Sequence, residues 1–149
     1  MVVTYLAKSE AEMIKLGEYL GRSLPSGSVL KLSGDLGAGK TTLVRGIAKG
    51  LHISEVVQSP TFNILKLYLK GDRPLIHIDA YRLADNKTDI GLDEYIGYET
   101  GITAIEWPQY IEELIPADAI SVEMERNENN VTKVIITADN LSFLEGFEL

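Results

Sequence analysis

The sequence predicts one α/β domain: a mixed, mostly parallel sheet with flanking helices and a C-terminal antiparallel hairpin. Three observations lead there. Short apolar runs at 29–32, 75–79 and 102–106 alternate with helical or irregular segments, the pattern of buried parallel strands. Two later runs, 119–124 and 131–136, flank a polar tip at 126–130 and read as a hairpin. The chain has 149 residues, 45% of them hydrophobic, which suffices for one sizeable core and not for two.

The elements follow in order. Ser9 and Glu12 have capping-box spacing, and Met13, Leu16, Gly17 and Leu20 share a face, so a helix is expected after Ser9, closed by Gly21 and Pro25. Residues 29–32 form a strand that runs into a glycine-rich loop. Residues 41–49 form a helix with Leu43, Ile47 and Leu51 inward and Gly50 near its C-cap. Residues 51–61 are a loop, 62–69 a strand, 85–98 helical or irregular turns and 109–114 a short helix.

Composition narrows the function classes. With no cysteine, disulfides and zinc–thiolate sites are excluded. The N-terminus lacks the basic and long apolar segments of a signal peptide, and no apolar run is long enough to cross a bilayer. A cytoplasmic protein with no membrane role is expected. The net charge of −8 argues against a broad nucleic-acid surface. Charge is unevenly spread: residues 1–71 carry +4 and residues 72–149 carry −12. That is either a solvated acidic face or a surface for a basic partner.

The glycine-rich loop reads Gly34-Asp35-Leu36-Gly37-Ala38-Gly39-Lys40-Thr41, followed by Thr42. It matches the phosphate-binding pattern G-x-x-x-x-G-K-[ST], with a strand before and a helix after. Glycines let backbone N–H groups approach phosphate oxygens, and the helix N-terminus favours the anion. Lys40 supplies charge at the β- and γ-phosphates, and the Thr41 hydroxyl is the expected Mg²⁺ ligand. The chain therefore reads as a P-loop nucleotide-binding protein.

Such a site needs a carboxylate near the metal, and two strands end in one: Asp79 and Glu106. One can hold the metal while the other orients water, and sequence does not rank them. His77 shares a strand face with Asp79 and reads first as a packed core residue. Arg82 reads as a phosphate contact or a structural ion pair. Trp107, the only tryptophan, reads as pocket wall ahead of core, and Thr61 as a γ-phosphate sensor or a turn residue.

Four motifs stand in this order: residues 34–42, Ser59-Pro60-Thr61-Phe62, His77-Ile78-Asp79-Ala80-Tyr81-Arg82-Leu83 and Glu106-Trp107-Pro108. Together they resemble the bacterial TsaE (YjeE) family over nearly the whole chain. The resemblance implies a Mg²⁺-dependent P-loop ATPase with slow intrinsic turnover. It implies a role in making N6-threonylcarbamoyl-adenosine on tRNAs that read codons starting with A. The family acts on the complex of TsaD with TsaB, meets tRNA only through that complex, and does not transfer the group itself. By this likeness Thr41 and Glu106 hold Mg²⁺, Asp79 assists hydrolysis and Thr61 is a switch residue. Lys133 approaches the nucleotide, and residues 9–13 contact adenine.

Two other readings compete. A small-metabolite kinase needs an arginine-rich lid, but the five arginines are scattered. A non-catalytic nucleotide-sensing module uses the same loop. The residues leave ATP and GTP open, and the resemblance implies ATP; Asn86-Lys87-Thr88-Asp89 has the form of a guanine-reading tetrad but follows a polar stretch in place of an apolar strand, and reads as coincidence.

Overall fold

A computed structural model describes residues 1–35, 37–60, 63–84 and 91–149. Seven strands form one sheet: β1 (Val2–Ala7), β2 (Val29–Gly34), β3 (Leu65–Tyr68), β4 (Leu75–Asp79), β5 (Ile102–Glu106), β6 (Ile120–Arg126) and β7 (Thr132–Thr137). Their spatial order is β1-β7-β6-β2-β5-β4-β3. The pairs β6–β2, β2–β5 and β5–β4 are parallel; β1–β7, β7–β6 and β4–β3 are antiparallel. The α/β class stands, but "mostly parallel" is corrected to an even division. The parallel strands form the centre and antiparallel strands close both edges.

The two α-helices, α1 (Glu10–Ser23) and α2 (Lys40–Gly50), pack on each other and on one face of the sheet. Leu16, Leu20, Leu43 and Ile47 meet Leu30, Leu32, Ala104, Val122 and Val134 there. The opposite face of the central strands buries Val29, Ile76, Ile78 and Ile105 under Leu83, Leu92 and Ile111, which lie on 3₁₀ turns. Among the described residues, the α-helices thus flank one face of the sheet. Among the described residues no helix is long and apolar enough to cross a membrane.

Local chemistry explains the boundaries. Ser9 Oγ accepts from the Glu12 amide at 3.1 Å, as expected of an N-cap, but the Glu12 carboxylate accepts from the Lys8 amide at 2.7 Å, one residue before the cap. The helix continues through Gly21 to Ser23 and ends as Leu24 turns extended ahead of Pro25. Gly21 is therefore a packing residue, not a terminator. It lies four residues after Gly17, and the two face Gly46 and Gly50 of α2. A Cβ on Gly17 would stand 2.5 Å from the Leu43 carbonyl, and one on Gly46 the same distance from the Ile14 carbonyl.

Three other expectations change. The strand expected over 62–69 is only Leu65–Tyr68, because Ile64 adopts φ 65° and breaks the extended run; Phe62 lies outside the described residues. The helix expected over 109–114 is a 3₁₀ segment, Pro108–Leu114, interrupted at Ile111. The N-terminal seven residues, assigned no element from sequence, supply edge strand β1. Of the turns expected over 85–98, Leu92–Glu94 is a 3₁₀ turn, and residues 85–90 lie outside the described residues.

Candidate nucleotide site

The site lies where the parallel strands β2, β4 and β5 end and α2 begins. The loop leaves β2 at Gly34, whose hypothetical Cβ would press on the Met124 carbonyl of neighbouring β6 at 2.6 Å. It turns through the bond from the Ala38 amide to the Asp35 carbonyl. Gly39 caps α2 with φ 109°, a conformation that suits glycine and turns the backbone into the helix. A cavity of about 620 Å³ opens there. Gly37, Gly39, Lys40, Thr41 and Thr42 line one side, and Ser59, Asp79, Tyr81, Glu106 and Trp107 the other. That is a helix N-terminus facing carboxylates across a space of ligand size.

Register brings the carboxylates together. Asp79 pairs with Glu106 across β4 and β5, and both side chains leave the sheet on the face that carries α2. Both are buried. Ser59 Oγ donates to Asp79 Oδ2 at 3.1 Å, and the Tyr81 amide donates to Oδ1 at 3.0 Å. The Asp79 amide itself donates to the Ile64 carbonyl. Thr41 Oγ1 donates to Glu106 Oε2 at 3.4 Å. His77 Nε2 lies 2.7 Å from the same oxygen and is fully buried.

Lys40 is buried as well. Its Nζ donates to the Gly34 carbonyl at 2.7 Å and sits 4.0 Å from the centre of the Trp107 ring. Burial lowers its pKa from the usual lysine value, while the Glu106, Asp79 and Asp35 carboxylates oppose that shift. Trp107 holds φ 57° and ψ 52°, unusual for a bulky residue and costing about 1–3 kcal/mol. Ring contacts to Tyr81 and Tyr110 and the Lys40 cation hold it there. The indole is pocket wall at the lysine.

A second recess, of about 200 Å³, adjoins the loop between Gly39 and Thr42. Ser9, Glu10 and Met13 of the N-terminal segment line it with Arg126 and Thr132. Lys133 does not line either cavity: Thr132 faces the recess, so the next residue on the strand points to the opposite face. Arg126, which pairs with Thr132 in the β6–β7 register, lines both cavities. Asp35 is exposed at the loop, and Ala38 is buried beneath it. Leu36, Thr61 and the 86–89 tetrad lie outside the described residues.

Three residues of the site stand out only in the structure. Ser59 lies in the Ser59-Pro60-Thr61-Phe62 motif, and its bond to Asp79 brings it into the site. Arg126 reads from sequence as hairpin tip, and only strand register reveals its direction. His77 reads first as core, and its two-residue spacing from Asp79 is the signal that puts it on the same face.

Known proteins carry the same framework. Residues 7–135 match the family described as Threonylcarbamoyl adenosine biosynthesis protein TsaE. The tRNA threonylcarbamoyladenosine biosynthesis protein TsaE of Bacillus subtilis (strain 168) is 45% identical over 112 residues, spanning 75% of this chain and 70% of that one. Its counterpart in Treponema pallidum (strain Nichols) is 39% identical over 121 residues, 80% of this chain and 88% of that one. The crystal structure of Bacillus subtilus YdiB superposes with a TM-score of 0.81 at 32% identity, covering 94% of this chain and 87% of that chain. By sequence and by fold, the chain belongs to the TsaE family.

Proposed function

We propose that this chain is a Mg²⁺-dependent ATPase serving threonylcarbamoyladenosine modification of tRNA, acting on the TsaB–TsaD complex without transferring the group itself. The observation that carries the reading is the approach of Thr41 Oγ1 to Glu106 Oε2, 3.4 Å apart, beside Lys40 at the helix N-terminus. A hydroxyl and a carboxylate are the hard oxygen donors that Mg²⁺ prefers. Among the described residues no cluster of three or more His, Cys, Asp or Glu makes a ready cage. The ion would then share the oxygens of phosphate and water, as it does in other P-loop sites.

Mg²⁺ held by Thr41 and Glu106 would supply positive charge against the phosphates. The chain's own groups divide the remaining work. Loop amides and the N-terminus of α2 bind the phosphates, and the Lys40 ammonium supplies positive charge at the β/γ bridge. Thr41 and Glu106 are the metal side. Asp79 is held by Ser59 and the Tyr81 amide, while Thr41 bonds Glu106, which suits Asp79 to orienting the attacking water and taking its proton. Thr61 follows Ser59 and Pro60 in the sequence, and we assign it the γ-phosphate sensing role. Trp107 covers Lys40 and limits water around it. Arg126, Ser9 and Met13 line the recess that we assign to the nucleoside.

The deciding experiment measures binding of ATP and GTP in parallel, then phosphate release with and without TsaB–TsaD. Tighter ATP binding and partner-stimulated phosphate release are expected, with loss of release in Glu106→Gln. Equal turnover with and without the partners would sink the partner-dependent mechanism. A phosphorylated small molecule in place of free phosphate would make the chain a kinase.

A further inference from the structure

His77 is a histidine with one nitrogen engaged and one abandoned. Its side chain is fully buried in β4, Nε2 lies 2.7 Å from Glu106 Oε2, and Nδ1 is buried without a hydrogen-bond partner among the described residues. An imidazole retained for packing alone would leave that nitrogen unsatisfied to no benefit, where an apolar side chain of similar size would carry no such cost. The engaged nitrogen is the explanation.

The sheet makes room for this contact. His77 stands opposite Ala104 in the β4–β5 register, two residues before the Asp79–Glu106 pair. Ala104 is small and fully buried, which leaves room at that position, and the ring reaches diagonally to the next same-face residue of β5, which is Glu106. A carboxylate is an acceptor only, so in the 2.7 Å contact the proton belongs to Nε2. Among the described residues, the hydrogen bonds from His77 and from Thr41 to the Glu106 side chain both arrive at Oε2.

We propose that His77 is a positioning residue: its Nε2–H locks the Glu106 carboxylate in the orientation that completes the Thr41 metal site. Its consequence for turnover rests on the ATPase reading above. Groups that orient a metal ligand from behind typically govern about 10–100-fold in metal affinity or activity. His77→Leu removes the donor and keeps an apolar filling; His77→Gln offers an amide N–H near the position of Nε2.

The test begins on the nucleotide-free full chain, where imidazole nitrogen NMR reads the tautomer of His77 directly. The Nε2–H form is expected, with a proton signal that shifts in Glu106→Leu; an Nδ1–H tautomer overturns the proposal. Calorimetry and partner-stimulated phosphate release follow. In His77→Leu, ATP binding without Mg²⁺ stays at the wild-type level, while half-saturating Mg²⁺ rises and kcat falls by about 10–100-fold each. His77→Gln recovers most of both losses. A glutamine variant as impaired as leucine, or a leucine variant with wild-type Mg²⁺ dependence, refutes the positioning role. If His77→Leu does not fold, the tautomer and the glutamine variant still decide. A wild-type chain without phosphate release removes the ATPase reading, and the tautomer together with Mg²⁺-dependent ATP binding then judges His77 on its own.

Discussion

The two ends of α2 use glycine differently. At its C-terminal half, Gly46 and Gly50 lie against Gly17, Glu18 and Ile14 of α1, and there the absent Cβ matters. Spacing of four residues on both helices puts each pair on one stripe, so the backbones meet directly. At its N-terminus, among the described residues, Gly39 has only the flexible tip of Met13 near its hypothetical Cβ, at 3.3 Å, and Gly37 has nothing within 4 Å. There the positive φ matters, and the space above is left for a ligand. One end is filled with protein and the other is kept empty, so their substitutions separate stability from binding.

The largest effect is expected at the filled end. Gly50→Ala would drive a methyl into the Glu18 carbonyl, backbone against backbone with no flexible atom to yield. A loss of about 3 kcal/mol or more in denaturant unfolding is expected. Near-wild-type stability would mean that the helices can slide apart and that the seam is not the fixed element described here.

Lys40→Met should invert that result. Nucleotide affinity is expected to fall on the order of 100-fold, since a charged hydrogen-bonding group is lost from the phosphate site. Stability of the nucleotide-free chain should hold or rise by about 0.5–1 kcal/mol, because burial already disfavours the ammonium. A destabilised Lys40→Met would show that the Gly34 carbonyl and Trp107 contacts outweigh that burial.

Gly39→Ala is expected to cost about 1–2 kcal/mol from its φ of 109° and to weaken nucleotide binding more than it weakens the fold. The smallest effect tests the recess. Arg126→Ala should reduce nucleotide affinity by about 1 kcal/mol, and Lys133→Ala should leave it unchanged. The reverse pattern in parallel titrations would restore Lys133 to the site.

These contrasts also mark what was legible in the chain. Strands β2, β4 and β5 were readable because each is buried on both faces, leaving continuous apolar runs that end at the chemistry. The loop was readable because its spacing has a mechanism. Strand β1 was not, since an edge strand is half exposed and its pairing with β7 spans nearly the whole chain. Gly21 looked like a stop because local rules treat glycine as a breaker, while its reason for being there is a partner helix twenty-odd residues away. Arg126 and Lys133 differ only in strand parity, which a hairpin with an undetermined turn does not disclose. His77 could be placed on the right face from its spacing, but its bond to Glu106 depends on Ala104 across the register.

Trp107 has a practical consequence. The chain contains one tryptophan, and its ring stands 4.0 Å from the Lys40 ammonium and within ring contact of Tyr81 and Tyr110. Light absorbed selectively by indole is therefore absorbed nowhere else in the protein. Any rearrangement of the lysine beneath it changes the field on that ring, and so the colour and yield of its emission. The wall of the cavity doubles as a native optical probe, able to follow occupancy in real time without a dye, a label or a substitution.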